Sequence, residues 1–322
     1  MSCFRKALSI KNVLLNSKSQ GFQWGIDMKQ RVLLVYNDKA GSFKVGYSRK
    51  ALLHILENDG FLVESVPPDQ FAREMPSLED YTALIVAGGD GSVNSVVEQL
   101  MKYNVEKPPP IAVLPWGTAN DLYRQLYHKG SGINDVIDTI KNGKLSWLDI
   151  GQVNKRYFVN VIASGLFSDV ACLTPGVFKR LLGKTAYYLH ALLRFFTYRP
   201  FDLQLEVNGD VLEEKVYLFL VLNGSRVGGL FNPAPEAVLN DGKLHFLAIK
   251  KDLTLVQVYK ILECFLRGGA PDLPGTINYA GESMHIAYLN NLPLVVDGEK
   301  GPQPPLEIKL IPARIPFFTD QI

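Results

Sequence analysis

From Arg31 onward the hydrophobic positions fall into short runs separated by amphipathic stretches. Val32 to Tyr36 is a β-rich run, Tyr47 to Glu57 spaces its apolar residues as a helix does, and Leu62 to Val66 reads as a second strand. Ala83 to Ala87 and Ile111 to Leu114 are apolar runs too short for helices, with a helical stretch from Val93 to Tyr103 between them. Strands that alternate with helices predict a parallel sheet covered on both faces. Ligands of such sheets sit beyond the carboxyl ends of the strands.

After about Trp147 the rhythm changes. Strand-like runs at Tyr157 to Ile162, Leu203 to Val207, Lys215 to Leu222, Leu244 to Ile249, Met284 to Tyr288 and Leu292 to Val296 alternate with the turn pairs Asn208-Gly209, Asn223-Gly224 and Asp241-Gly242. Turn dipeptides between β-branched runs predict an antiparallel, β-rich domain, interrupted by helices at Lys184 to Tyr198 and Leu255 to Leu266. The most apolar stretch, Val216 to Leu222, is one strand long and far short of the roughly 20 residues that span a bilayer.

The first 28 residues differ from the rest, with Arg5, Lys6, Lys11 and Lys18 set among Phe4, Leu8, Val13, Leu14 and Leu15. Such spacing suits a basic amphipathic helix on an anionic membrane, although a loose extension is the commoner outcome at chain ends. The domain reading is therefore a basic extension over 1–28, a nucleotide-binding α/β domain over 29–147 and a β-rich substrate domain over 148–309. A final segment near 310–322 is free to pack back on the first domain.

Composition narrows the function classes. With 47% hydrophobic and 20% charged residues the chain is an ordinary globular protein, and 322 residues suit two domains with a cleft between them. A net charge of +2 gives no global attraction for nucleic acid, so an anionic partner must be recognised locally. Cys3, Cys172 and Cys264 are too few and scattered for a disulfide framework or a zinc site, which suits a cytoplasmic setting. The five histidines form no sequence-local ligand set.

Four segments carry candidate chemistry. Gly88-Gly89-Asp90-Gly91-Ser92 follows a strand and precedes a helix. Its glycines let the backbone approach a bulky anion, Ser92 can cap the helix, and the helix N-terminus presents unpaired N–H groups, so the segment reads as a phosphate cradle. A tight strand-to-helix turn would explain one or two of the glycines but not Asp90. Pro115-Trp116-Gly117-Thr118-Ala119-Asn120-Asp121-Leu122 brings a second glycine turn to the same sheet edge. Thr118 and Asn120 can hydrogen-bond a phosphate and Asp121 can hold Mg²⁺ through water. Equally, Asn120 or Asp121 can simply cap the following helix.

Asp297-Gly298-Glu299 places two carboxylates at a strand end in the other half of the chain. Facing the cleft they can reach phosphates, and an ionised Asp297 can accept a hydroxyl proton; as a bare Asp-Gly pair the segment is a common turn. In Pro233 to Leu244, Asp241 with nearby carbonyls can bind a second, structural cation, or close a plain hairpin.

Taken together and in this order, the segments resemble the diacylglycerol kinase catalytic-domain family, in its soluble bacterial lipid kinase form. Gly88 to Ser92 is similar to that family's GGDGT motif with Ser for Thr, Pro115 to Asp121 to its P-x-GTAND segment, Asn223-Gly224 with Gly228-Gly229 to its N-G…GG stretch, and Asp297 to Glu299 to its DGE. The resemblance runs from about Val32 to the C-terminus. It implies an N-terminal Rossmann-like α/β domain and a C-terminal antiparallel β-sandwich-like domain, as in NAD kinases and diacylglycerol kinases, with ATP and Mg²⁺ in the cleft.

Carried over by position, Gly88, Gly89, Gly91, Ser92, Thr118 and Asn120 contact the nucleotide, and Asp90 and Asp121 organise Mg²⁺ and the phosphates. Asp297 is implied as the base on the lipid hydroxyl, with Glu299 as a metal or positioning carboxylate. Asp241 with the carbonyls of Val238 and Lys243 is implied as a structural metal site, although Asn240 stands where the family carries a second acid. Tyr187 to Pro200 resembles the helix beside the family's lipid opening, while its apolar spacing also suits core packing.

The expected activity is ATP- and Mg²⁺-dependent phosphorylation of a hydroxyl on a diacylglycerol-like or related lipid. A peripheral position at the membrane surface follows, nucleic acid is not expected, and a homodimer is left open. The rivals are a soluble-substrate kinase of the same superfamily, acting on NAD or a sugar phosphate, and a regulator that binds nucleotide or lipid without turnover.

Overall fold

The computed structural model of the protein describes residues 30–38, 48–103, 105–166, 198–229, 232–267, 273–288 and 292–322. The basic stretch 1–28 and the segment 184–197 lie outside them.

Strands β1 (Arg31–Tyr36), β2 (Leu62–Val66), β3 (Ala83–Gly88) and β4 (Ile111–Pro115) pair in parallel in the order β2-β1-β3-β4. The apolar runs of β1, β3 and β4 are buried because helices cover the sheet, as the strand–helix alternation requires, while β2 at the sheet edge is only partly covered and leaves Leu62 exposed. Helix α1 (Arg49–Asn58) is capped by the Ser48 side chain, which accepts from Ala51 N–H, and it turns Leu52 and Leu56 inward. A short helix α2 (Pro68–Arg73), opened by proline at its first position, was not legible in the apolar spacing. Helix α3 (Asp90–Lys102) buries Val93, Val96, Val97 and Leu100, and the sequence pattern starts it three residues late. Two further helices, α4 (Tyr123–Leu126) and α5 (Ile133–Lys141), follow β4.

The second half is built on antiparallel strands. They are β5 (Leu145–Val153), β6 (Arg156–Phe158), β7 (Val161–Gly165), β8 (Phe201–Val207), β9 (Asp210–Leu222), β10 (Leu244–Lys250), β11 (Thr276–Gly281), β12 (Ser283–Tyr288), β13 (Leu294–Val296), β14 (Glu299–Lys300) and β15 (Leu306–Phe318). The β8–β9 hairpin turns at Asn208 and Gly209 with φ of 54° and 87°, the double left-handed geometry that an Asn-Gly pair favours. In β9, Phe219 and Val221 face a core with Phe201, Phe246 and Tyr288, while Leu218, Leu220 and Leu222 face Val258 and Ile261 of helix α6 (Leu255–Arg267). A strand buried on both faces is why this stretch is the most apolar in the chain.

One expectation needs correction, and two further features are set by the fold. The run Tyr157 to Ile162 is not one strand but β6 and β7, parted at Val159-Asn160. Strands β5, β11 and β15 had no clear signal, because β5 carries Asp149 at its centre and β15 carries Pro312 and Pro316. Finally, β15 joins the two halves. It pairs antiparallel with β12 and β5 and then, at Phe317, runs parallel to Ile111 of β4, so a single mixed sheet runs from β14 to β2.

Candidate active site

Gly88 and Pro115 stand opposite each other in the parallel β3–β4 register, so both glycine turns leave the sheet at one level. They touch backbone to backbone. A Cβ on Gly117 would lie 2.3 Å from Cα of Gly89, and one on Gly89 would lie 2.9 Å from Cα of Gly117. Glycine is thus required by close approach at both positions. Asn120 clamps the second turn: its Oδ1 accepts from Gly117 N–H at 2.8 Å and its Nδ2 donates to Gly117 O at 2.9 Å, with Asn120 in the left-handed region at φ 51°. Thr118 lies in the same turn.

Gly89, not Ser92, is the N-cap of α3, and no side chain caps that helix. Ser92 sits inside the first turn, where its Oγ accepts from Asn37 Nδ2 at 2.8 Å. An open helix N-terminus of this kind carries unpaired N–H groups and a partial positive charge, which favour an anion.

The carboxylates converge from three segments, and each also ties one segment to another. Asp90 Oδ1 accepts from Leu122 N–H at 3.0 Å, linking the two glycine turns. Asp121 is buried and its Oδ1 accepts from Gly229 N–H at 2.8 Å, tying in the second half of the chain. Burial first, and then the negative charge of Asp90, push the Asp121 carboxyl up to about 6 against the pull of the Gly228 and Gly229 amides.

Asp297, at φ 46° beyond β13, is 7% exposed. Its Oδ2 accepts from Val159 N–H at 2.6 Å, and its Oδ1 accepts from Asn160 N–H at 3.0 Å and Val161 N–H at 2.8 Å. The break between β6 and β7 therefore has a cause, since its freed amides wrap a carboxylate. Burial again dominates and raises the Asp297 carboxyl to about 6, opposed by the three amides and helped by the charge of Asp90. Asp90 thus acts electrostatically on both other acids, which puts each of them within reach of its charge.

Glu299 is largely exposed and meets Arg156 Nη2 at 2.9 Å, while Arg156 also approaches Glu98 at 3.7 Å. It shares a cleft of about 500 Å³ with Gly89, Gly91, Ser92 and Gly117. Sequence reasoning missed Asp149 altogether and read Asn223 only as part of a motif, with no role of its own. Asp149 is buried and holds Gly242 N–H at 2.8 Å and Ala313 N–H at 2.7 Å, and Asn223 is buried against the β6–β7 break. Their signal was weak because a lone Asp within a strand and an Asn before Gly look like turn residues.

Among the described residues no set of three or more His, Cys, Asp or Glu side chains is arranged to ligate a metal. Mg²⁺ needs only one or two carboxylates beside water and phosphate, and two acids close enough for one to raise the other fit a divalent cation. The turn at Asp241 does not fit one. Val238 and Lys243 present N–H groups to its carboxylate at 3.2 and 2.9 Å, and His245 Nε2 lies 2.9 Å from Oδ2. The Val238 carbonyl is taken by the Asp241 N–H at 3.1 Å. The anticipated cation is replaced by hydrogen-bond donors, which hold this carboxyl below its usual range against the cost of burial.

Comparison with known proteins places these features in a wider set. Residues 31–153 match the family model described as diacylglycerol kinase catalytic domain, and residues 160–319 match the one described as YegS C-terminal NAD kinase beta sandwich-like domain. The chain is 30% identical over 301 residues to a diacylglycerol kinase of Staphylococcus aureus (strain bovine RF122 / ET3-1), covering 91% of this chain and 93% of that protein. It is also 30% identical over 297 residues to a diacylglycerol kinase of Staphylococcus carnosus (strain TM300), covering 91% and 96%. In fold it is similar to the crystal structure of a diacylglycerol kinase from Bacillus anthracis str. Sterne, with a TM-score of 0.70 at 19% identity over 91% of this chain and 98% of that one. A second structure from that strain gives 0.73 at 24% identity with the same coverage.

Proposed function

Because the chain belongs to the diacylglycerol kinase family and is therefore a lipid kinase, we propose that it transfers the terminal phosphoryl group of ATP to a hydroxyl of a diacylglycerol-like lipid. The reaction takes place in the cleft between the glycine turns and the end of β13, with nucleotide against 29–147 and lipid against 148–309. One observation carries this reading: two glycine turns touch backbone to backbone at the sheet edge, and Asp90 and Asp121 tie them to each other and to the second half of the chain.

Phosphoryl transfer demands positioning and charge neutralisation more than covalent help. Gly88, Gly89, Gly91 and Ser92 at the head of α3, with Thr118 and Asn120, hold the phosphates. Asp90 and Asp121, each already held by backbone amides, are the carboxylates that would hold Mg²⁺ beside the phosphates. When bound, Mg²⁺ neutralises phosphate charge as it shifts to the leaving group. Asp297 has two amides on Oδ1 and one on Oδ2, so a lone pair of Oδ2 remains for the lipid hydroxyl proton. A carboxyl near 6 is ionised at neutral pH and accepts a proton better than an ordinary aspartate. Glu299, held by Arg156, closes the cleft wall.

The lipid acceptor puts the enzyme at a membrane surface, which it meets as a peripheral protein; no helix among the described residues is long and apolar enough to cross one. The test is Mg²⁺-dependent transfer of radiolabelled phosphate from ATP to a panel of detergent-dispersed lipids and to NAD. A labelled diacylglycerol-like lipid is expected. Label on NAD alone, or ATP binding without product, overturns the reading in favour of a soluble-substrate kinase or a non-catalytic regulator.

A further inference from the structure

Asn223 stands one residue past β9 and is fully buried. Its Nδ2 donates to the carbonyl oxygens of Val159 at 2.8 Å and Asp149 at 2.9 Å, and its backbone N–H donates to the carbonyl of Asn160 at 2.9 Å. These three bonds use every N–H that an asparagine has. The peptide group containing the Val159 carbonyl also contains the Asn160 N–H, and the one containing the Asn160 carbonyl contains the Val161 N–H. Those are the two N–H groups that converge on Asp297 Oδ1, at 3.0 and 2.8 Å. Both peptide dipoles aimed at Oδ1 are thus loaded from behind by a donor of one residue.

We propose that Asn223 is a positioning residue for Asp297, acting through these two peptide groups. A carbonyl that accepts a hydrogen bond makes the N–H across its peptide bond a stronger donor, so the chains Asn223–Val159/Asn160–Asp297 and Asn223–Asn160/Val161–Asp297 reinforce each other. They hold Oδ1 in two strengthened bonds and leave Oδ2, with its single amide, as the oxygen that takes the lipid proton. Aspartate at 223 would keep the size but turn an acceptor toward two carbonyls, and alanine would leave the Val159 and Asp149 carbonyls buried without this donor. The inference rests on the reading of Asp297 as the base.

The test pairs backbone-amide NMR of the full chain with kinetics on a diacylglycerol micelle assay. In the wild type the Asn160 and Val161 amide protons are expected downfield of the other strand amides, as charge-assisted bonds require. In Asn223→Ala the Asn160 proton moves upfield while that of Val161 stays, because residue 223 keeps its backbone N–H. Alongside, kcat falls roughly three- to tenfold with KM for ATP unchanged. Asn223→Ser, which is also too short to reach both carbonyls, serves if the alanine variant does not fold. An ordinary wild-type shift at both amides, an Asn160 proton that does not move, or an unchanged kcat overturns the inference. Full activity of Asp297→Asn would instead overturn the reading of the base, and the NMR arm stands apart from that result.

Discussion

Replacing Asp297 by asparagine separates the chemistry of this carboxyl from its structural work. The amide keeps one carbonyl oxygen for the Asn160 and Val161 N–H groups, but sets an NH₂ against the Val159 N–H that met Oδ2 at 2.6 Å. Losing one charge-assisted bond costs about 1.5–3 kcal/mol. Against that stands relief of a buried charge, because the carboxyl is pushed from 3.8 to about 6 in the fold and so opposes folding when ionised. At neutral pH the two terms roughly offset each other. They do not offset in acid. A raised carboxyl pKa means that the native state keeps its proton to higher pH than the unfolded chain, so its stabilisation is fully present below about 4 and lost as pH rises through about 6. Between about pH 7.5 and about pH 5 the wild type therefore gains ~1.4 kcal/mol from Asp297 that the variant cannot gain. Urea unfolding at the two pH values measures this as a difference of differences, and the variant should lose ground in acid. Its kcat should fall by about 10²- to 10⁴-fold, the usual worth of a general base. A stability difference that stays constant with pH refutes the titration argument, and more than about a tenth of wild-type kcat refutes the assignment as base.

Further expectations follow from the same geometry. Gly117→Ala drives a methyl into the Gly89 backbone, so the thermal midpoint should drop and KM for ATP rise, whereas Gly91→Ala, inside α3 with nothing within 4 Å, should hold or slightly raise the midpoint while weakening ATP. Equal thermal midpoints for the two variants would count against the touching turns. The pH–rate profile should lose activity as pH falls through about 6, where Asp121 and Asp297 gain protons, and the limb belongs to the coupled site, since Asp90 raises both. For residual activity of Asp90→Asn the limb should move to lower pH; a limb that stays put argues against a shared field. Chelation by EDTA should abolish phosphoryl transfer yet shift the thermal midpoint of the nucleotide-free protein by no more than about 1 °C, because the Asp241 turn is satisfied by N–H donors and His245. A larger fall would show that this turn holds a cation after all.

Much of the molecule was legible because the relevant signals are local. Apolar runs and their spacing mark β1 to β4 and α3, and Asn208-Gly209 marks its hairpin, since each records a period or a turn geometry carried by adjacent residues. The glycine turns were legible for the same reason. What could not be read is whatever depends on contact across the chain. Pro312 and Pro316 argue against a strand by propensity, but β15 lies between two partners that outweigh it. Asp149 looks like an interruption of β5 until the amides of Gly242 and Ala313 arrive from 93 and 164 residues away. The site residues were named by pattern, yet the pattern says nothing of their second task. Asp90, Asp121 and Asp297 each close a link to a distant backbone, and only the fold shows it.

The strand shared by both halves also sets an order of events during synthesis. Of the described strands β15 is made last, and until it leaves the ribosome β4 has an open edge while β12 and β5 lack their common neighbour. The glycine turns are by then long translated, but the sheet that carries them stays unfinished, with an apolar edge able to pair with another nascent chain. A message truncated shortly before Leu306 should therefore yield no half-working nucleotide binder. It should yield a chain in which both halves wait for a partner, and which chaperones or proteases must clear.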